Sequence, residues 1–160
     1  MINLLKHLFS LILPVTVLIL VPLWIEDDFS INNIYALIGG SILILAGLLV
    51  IVLTISAFIR IGKGTLAPWS PTKKLVVTGI YAHVRNPMIS GVLTVLLGES
   101  LAILSLSIFI WAIAFFIINN IYFLIYEEPN LGERFGEDYR QYKSKVPRWI
   151  PAMKPYQLQH

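Results

Sequence analysis

The chain has 160 residues, of which 57% are hydrophobic and only 13% are charged, and its mean hydropathy is +0.78. These values exclude an ordinary soluble domain and indicate an integral membrane protein. The net charge of +3 does not indicate nucleic-acid binding, because the bases flank apolar runs and no recognition helix is visible. With no cysteine and only 3 scattered histidines, we expect no metal site.

Apolar runs long enough to cross a bilayer as helices dominate the chain, since about 20 residues span the roughly 30 Å hydrocarbon core. They are residues 4–24, 34–59, 88–104 and 106–126. Pro14 and Pro22 predict a kink or an early end in the first run. A cleaved signal peptide is the competing interpretation of that run, but no small-residue cleavage motif follows it. The sequence therefore predicts a single all-α membrane domain with four transmembrane helices over residues 1–160.

Contacts between these helices can also be predicted. The second run carries small residues that allow close helix packing: Gly39, Gly40, Ser41, Ala46 and Gly47. The same residues are compatible with a helix-packed dimer, and the sequence leaves the oligomeric state open. Ser105 and Ser107 are the only polar residues at the join of the last two runs, which predicts a helical hairpin.

The distribution of charge predicts the orientation in the membrane. The stretch 60–87 contains bases and no acid, and the tail 127–160 is also rich in bases, whereas the first loop holds Glu26, Asp27 and Asp28 and no base. By the positive-inside rule, we expect the stretch 60–87, the tail 127–160 and both termini to be cytoplasmic.

The sequence GIYAHVRNP at residues 79–87 lies directly before the third apolar run. Asn86 and Pro87 fit the N-cap and the first residue of a helix. Free amides at that helix start, together with Arg85, favour the acceptor atoms of a ligand, such as a carboxylate or ribose hydroxyls. The alternative is that Asn86 only caps the helix and Arg85 extends to a lipid phosphate.

Glu127 and Glu128 directly follow the fourth apolar run. Two carboxylates are unfavourable at the negative end of a helix dipole, so we expect a cation beside them. It is either the ammonium or sulfonium group of a ligand, or Arg85 and the arginines of the tail. Pro129 should end the helix and hold both carboxylates at its terminus.

Glu99 lies within the third apolar run, roughly 16 Å from its start at Met88 by helical rise. An ionisable group at such a depth is by default a functional hypothesis. We interpret it as a polar contact that shapes a substrate tunnel, ahead of direct catalysis. The alternatives are that it reaches the outer interface or pairs with Ser100 or Thr94.

The tail sequence FGEDYRQYKSKVPRWIP at residues 135–151 places aromatic side chains at helical spacing among bases. This pattern predicts an amphipathic helix at the cytoplasmic interface. It could anchor the chain at anionic lipid or cover a bound ligand.

These motifs together resemble a known family. The relevant segments are GKGTLAPWSPTKKLVVTGIYAHVRNPM at 62–88, GES at 98–100, EEPNL at 127–131, FGEDYRQY at 135–142 and VPRWIP at 146–151. Over residues 60–151 the chain resembles the bacterial branch of the isoprenylcysteine carboxyl methyltransferase family. More distantly, it resembles the membrane phospholipid N-methyltransferases.

The resemblance implies S-adenosylmethionine as cofactor and S-adenosylhomocysteine as product, in a cytoplasmic pocket of a bacterial inner-membrane protein. The positions that correspond to the cofactor-binding motifs are Lys73, Lys74, Leu75, Val76, Tyr81, Arg85, Asn86, Pro87, Met88 and Ile89, with Glu127 or Glu128 meeting the ammonium group. Arg148 would bind the carboxylate or phosphate of the acceptor. Arg148 and Glu99 are the two candidate catalytic residues. The chain departs from the family at Asn86, where histidine is frequent, and at Ile89, where tyrosine is frequent.

Three functions follow as hypotheses. The first is methyl transfer to the carboxylate of a lipid-soluble or lipidated acceptor, which needs proximity and no general base. The second is methylation of a phospholipid amine, which must first lose a proton to a nearby carboxylate. The third is a cofactor-free membrane scaffold or sensor of the same fold, which would not bind S-adenosylmethionine.

Overall fold

The computed structural model describes residues 12–57 and 75–157. This part of the chain is helical and contains no strand. The helices are α1 (Ile12–Ile25), α2 (Ile34–Ala57), α3 (Pro87–Ile103), α4 (Leu106–Tyr122) and α5 (Glu128–Lys145), with a short 3₁₀ turn at Gly79–Ala82 before α3. The predicted all-α class is confirmed.

α2 and the continuous helix Leu106–Lys145, which joins α4 to α5, are long and apolar enough to cross a membrane. α1 and α3 are apolar but shorter in the part of the chain that the structure describes. The four-span topology therefore stays a prediction. The face of α2 away from the other helices is exposed and apolar, as a lipid-facing surface would be, at Tyr35, Ile38, Ile42, Leu45, Leu49 and Val52.

Two prolines are each preceded by a widened helical turn. Before Pro22 a π turn spans Thr16–Leu20, and the Val21 N–H donates to the Thr16 carbonyl five residues earlier. Before Pro129 a π turn spans Phe123–Glu127, and it connects α4 to α5. The wider turn accommodates the proline ring and its missing N–H without breaking the helix. The prediction that Pro129 ends the helix at the glutamate pair is therefore wrong, because Pro129 lies in the first turn of α5.

The backbones of α2 and α3 are in direct contact where glycines of the two helices face each other. A Cβ atom on Gly40 would lie 2.5 Å from the Gly98 carbonyl oxygen, and one on Gly47 would lie 2.7 Å from the Gly91 carbonyl oxygen. The predicted close packing of the second span is confirmed, and its neighbour is α3 of the same chain. The core beside this contact contains Ile51 of α2, Val92, Val95 and Leu96 of α3, and Ala112 and Phe115 of α4.

Hydrogen bonds between serines fix the connection from α3 to α4. The Ser100 hydroxyl donates to the Ser105 carbonyl at 2.8 Å, and the Ser105 hydroxyl accepts from the Ile108 N–H at 3.1 Å, which caps α4. Ser105 also donates to Glu26 at the end of α1. This hydroxyl lowers the pKa of the Glu26 carboxyl. α3 and α4 are thus joined at one end and share the same core.

At the opposite end of α3 and α4, α5 and the C-terminal segment cover the residues that precede α3. Tyr139 and Tyr142 of α5 are buried against Val77 and Val146, and the Tyr142 hydroxyl donates to the Tyr81 carbonyl at 2.7 Å. Gly136 has φ 56° and ψ −125°, a conformation that is essentially limited to glycine, and it bends α5. The aromatic side of this helix therefore faces protein, and the location of the helix at the cytoplasmic interface stays a prediction.

The C-terminal segment runs beside residues 82–86. The Arg85 and Asn86 N–H groups donate to the carbonyls of Pro147 and Arg148 at 3.0 and 3.3 Å. Further along, the Ala152 N–H donates to the His83 carbonyl at 2.8 Å. This pairing brings the VPRW sequence to the start of α3, 60 residues away in the chain, where it forms part of the candidate site.

Candidate functional site

Glu128 is the centre of a cationic cluster at the junction of α4 and α5. Its Oε1 atom lies 2.7 Å from Arg85 Nη1 and 2.7 Å from Arg148 Nε, and its Oε2 atom lies 2.7 Å from Lys143 Nζ. Glu128 is only 4% exposed. The carboxylate thus joins the start of α3, the end of α5 and the C-terminal segment.

The charges around Glu128 determine its ionisation. Burial would raise the pKa of its carboxyl, but the hydrogen bonds from Lys143 and Arg148 and the charge of Arg85 outweigh burial, so the pKa lies below the ordinary value. Three cations surround this one anion, so the cluster carries excess positive charge. The sequence left open whether the cation beside the glutamate pair belongs to a ligand or to the protein. For Glu128, the cations are side chains of the protein itself.

The two arginines are held in fixed orientations by neutral acceptors. Arg85 Nε donates to the Val146 carbonyl at 2.9 Å, and its Nη1 reaches the Tyr139 hydroxyl at 3.3 Å. Arg148 Nη1 donates to Asn120 Oδ1 at 3.1 Å. Within the described residues, the Nη2 group of each arginine has no hydrogen-bond acceptor. These Nη2 groups can therefore donate to an anion brought in by a ligand.

Glu127 differs from its neighbour. Its Oε2 atom accepts a weak hydrogen bond from the Tyr122 hydroxyl at 3.3 Å, and no base lies within ion-pair distance in the part of the chain that the structure describes. Burial raises the pKa of the Glu127 carboxyl, although Tyr122 and the more distant charge of Arg134 oppose the shift. Among the described residues, Glu127 therefore lacks the ion pairs that Glu128 makes.

The other predicted cofactor positions that the structure describes lie within the 3₁₀ turn and on both sides of it. Val76 and Tyr81 are buried, and Leu75 packs against the tyrosine cluster of α5. Asn86 is the N-cap position and Pro87 the first residue of α3, as predicted, although the Asn86 side chain makes no capping hydrogen bond. Met88 lies partly buried in the first turn of α3.

Ile89 packs against the core between α2, α3 and α4. A hydrophobic side chain is well suited to that environment, which accounts for an apolar residue where the resembled family often has tyrosine. Lys73 and Lys74 lie outside the described residues.

Glu99 is set apart from the cationic cluster on α3. Neither predicted partner pairs with it, because Thr94 donates to the Ser90 carbonyl and Ser100 donates to the Ser105 carbonyl. Its Oε2 atom is buried without a hydrogen-bond partner within the described residues. The structure therefore does not bring the two predicted catalytic candidates, Glu99 and Arg148, into one cluster.

Several residues of the cluster were missed by sequence reasoning. Asn120 of α4 accepts from both Arg148 and Trp149, the latter through its indole N–H at 3.2 Å. Lys143 and Tyr139 were assigned only to the amphipathic pattern of the tail. Asn119 and Asn120 form an adjacent polar pair inside an apolar run, and this was the available indication of a polar site.

We expect Asn120→Ala to loosen the C-terminal segment, because it leaves two part-buried donors without their acceptor, at a cost of about 1–3 kcal/mol. The chain has 4 tryptophans, so ¹⁵N-tryptophan labelling should give resolvable indole signals, and Trp149→Phe identifies the one that belongs to Trp149. That signal should shift in Asn120→Ala. Asn119→Ala is the matched control, because the Asn119 side chain donates to the Phe115 carbonyl of its own helix and not to the C-terminal segment. An unchanged Trp149 signal in Asn120→Ala would contradict this role.

The geometry defines a class of protein: a helical membrane protein with a cationic, carboxylate-containing site at one end of an apolar helix long enough to span the bilayer. Comparison with known proteins agrees with this class. Residues 35–138 match the phospholipid methyltransferase family, PEMT. The match covers more than half of the chain, including Arg85, Glu127 and Glu128, and the chain belongs to this family.

Two relatives are similar over shorter stretches. Protein-S-isoprenylcysteine O-methyltransferase of Schizosaccharomyces pombe is 36% identical over 85 residues, which are 49% of this chain and 34% of the yeast protein. An uncharacterized protein of Haemophilus influenzae is 44% identical over 57 residues, which are 36% of this chain and 81% of that protein. The similarity thus spans about a third of the length of the yeast enzyme. No solved structure is significantly similar to this chain.

Proposed function

We propose that the chain is an integral membrane methyltransferase that uses S-adenosylmethionine and methylates the carboxylate of a lipid-like or isoprenylcysteine-type acceptor at the cytoplasmic membrane face. The observation that carries the proposal is the pair Arg85 and Arg148, which converge on Glu128 and whose Nη2 groups have no acceptor among the described residues. Such a pair can bind an anionic acceptor group. The family match and the similarity to the yeast O-methyltransferase support the reaction class.

The position of Arg148 relative to the bilayer supports a lipid-soluble acceptor. If the span ends at Tyr126, Asn120 lies about 9 Å inside it by helical rise. Arg148 donates to Asn120, so its guanidinium reaches below the end of the span. A charged side chain at that depth is energetically costly, and such a residue is by default a candidate for binding a ligand. An acceptor whose apolar part stays in the bilayer can present its carboxylate there.

Glu127 fits the cationic end of the cofactor. It is a partly buried carboxylate without an ion-pair partner among the described residues, and its only hydrogen bond is to the Tyr122 hydroxyl. An ammonium group beside it would supply the missing charge. Glu128 does not fit this role as well, because its two oxygens already contact three bases.

The proposed reaction requires this chain mainly to bind and orient the methyl donor and the acceptor. S-adenosylmethionine, when bound, supplies an activated sulfonium methyl group. In the transfer, a carboxylate oxygen of the acceptor would bond to the methyl carbon while the sulfur–carbon bond broke, and the products would be a methyl ester and S-adenosylhomocysteine, with no proton transferred. Arg85 and Arg148 would orient the carboxylate, and the C-terminal segment above them would exclude water.

A phospholipid N-methyltransferase is the second candidate, favoured by the family that matches residues 35–138. The same arginines could bind a lipid phosphate. An amine acceptor must lose a proton, and Glu127 could accept it, because burial raises its pKa. Membranes incubated with methyl-labelled cofactor distinguish the candidates. Label in base-labile esters supports the first, and label only in base-stable lipid headgroups overturns it.

Topology and location are part of the same proposal. We infer four spans, with residues 60–87, the tail and both termini in the cytoplasm, in a bacterial inner membrane. The bases in these segments and the acids Glu26, Asp27 and Asp28 in the first loop support this orientation.

We expect Glu127→Gln to weaken S-adenosylhomocysteine binding at least about tenfold, because it removes a charged hydrogen-bond acceptor that contributes roughly 1.5–3 kcal/mol. Calorimetry on detergent-purified protein measures this. Glu133→Gln is the control, since Glu133 is exposed on α5 and forms no ion pair among the described residues. A wild-type protein that binds neither S-adenosylmethionine nor S-adenosylhomocysteine would overturn the enzyme proposal in favour of a scaffold.

A further inference from the structure

The segment Trp149–Met153 presents large apolar side chains outward. Ile150 is 78% exposed and Met153 is 98% exposed. Met153 is followed directly by Lys154, which is also exposed. Exposed apolar residues next to a base are typical of a segment at a membrane interface.

Hydrogen bonds on both sides of Ile150 fix the segment in this exposed position. Before Ile150, the Arg148 side chain is held by Glu128 and Asn120. After it, the Ala152 N–H donates to the His83 carbonyl at 2.8 Å, and the Tyr156 N–H donates to the Ala82 carbonyl at 2.8 Å. The segment is therefore fixed with Ile150 and Met153 directed away from the protein.

The position of Trp149 places this segment beside the membrane-embedded part of α4. Its ring centroid lies 5.2 Å from that of Phe116 and 5.9 Å from that of Phe123. These phenylalanines precede Tyr126, the proposed end of the span, by about 15 and 4.5 Å of helix. Trp149 thus lies at the depth of the acyl chains. Neighbouring side chains of α4 and of the π turn after it continue the exposed apolar surface: Ile117, Ile118, Ile121, Leu124 and Ile125.

α5 does not supply such a surface. Its tyrosines Tyr139 and Tyr142 are each 3% exposed, and its outward side carries charged and polar residues such as Glu137 and Arg140. Of the two parts of the tail, only the segment 149–153 continues the apolar belt of α4.

We propose that residues 149–153 form a membrane-inserted loop, with Ile150 and Met153 in contact with the acyl chains of the leaflet at this end of α4. The loop holds the Arg148 guanidinium beside Asn120, below the end of the span, so an acceptor would approach the arginine pair from that leaflet. The proposal requires α4 to span the bilayer. It does not depend on which group is methylated, so its test and the calorimetric test can fail separately.

The absence of cysteine allows single nitroxide labels without a background mutation. We would label Ile150→Cys and Met153→Cys in phosphatidylethanolamine and phosphatidylglycerol vesicles and measure accessibility to oxygen and to a water-soluble nickel complex by electron paramagnetic resonance. Ser144→Cys on the exposed side of α5 is the aqueous reference, and Leu45→Cys, 68% exposed on α2, is the bilayer reference.

Labels at 150 and 153 should report oxygen access above nickel access, with a depth of about 5–10 Å below the phosphate plane. Values equal to those of Ser144→Cys would overturn the proposal. Low accessibility to both reagents would also overturn it, because the loop would then be covered by protein, such as a second copy of the chain.

Discussion

Glu128→Ala should strongly destabilise the protein. The substitution leaves Arg85 and Arg148, with side chains 10% and 18% exposed, without the carboxylate that neutralises them. Removing one partner from a buried ion pair costs about 3–5 kcal/mol. We expect the midpoint of thermal unfolding in detergent, followed by circular dichroism, to fall by about 10 °C. Glu128→Gln should be intermediate, because its amide oxygen can still accept from both arginines.

Glu137→Ala is the matched control for this result. Glu137 lies on the same helix and pairs with Arg140 at 3.6 Å, but both side chains are largely exposed. Such pairs contribute roughly 0–1 kcal/mol, so the unfolding midpoint should hardly move. If Glu128→Ala were as stable as Glu137→Ala, Glu128 would not join the three segments as we describe.

Gly40→Ala should separate α2 from α3. The added Cβ atom would lie 2.5 Å from the Gly98 carbonyl oxygen and 2.6 Å from the Ala102 nitrogen. Both are backbone atoms of α3, so no side-chain rotation can relieve the contact, and the helices must move apart. Overpacking of this kind costs about 1–3 kcal/mol and often more where backbone must shift. A lower midpoint of thermal unfolding would measure it.

The neighbouring glycine provides the control and predicts the opposite sign. A Cβ atom on Gly39 would meet only the Leu101 side chain, at 3.4 Å. Alanine also favours a helix over glycine by about 1 kcal/mol. Gly39→Ala should therefore be neutral or slightly stabilising. Equal effects of Gly39→Ala and Gly40→Ala would contradict the assigned α2–α3 contact.

Sequence reasoning was most accurate where structure depends on local pattern. The apolar run at 34–59 became α2, and Asn86 with Pro87 marked the start of α3, because hydrophobic length and cap chemistry act within a few neighbouring residues. The error at Pro129 has a local origin too. Proline is incompatible with a regular α-helical turn but is compatible with a π turn. Whether the helix ends at the proline or continues through a π turn depends on the stability that the following residues gain by packing.

The sequence by itself determined the apolar composition that indicates a membrane protein, the helical class and the family resemblance, since composition and motif are properties of neighbouring residues. Only the tertiary structure separated Glu127 from Glu128. That difference arises because Arg85, Lys143 and Arg148, which come from three different segments, converge on Glu128 and not on Glu127. The same long-range packing recruited Asn120 and turned the tyrosines of α5 inward, which no local pattern specifies.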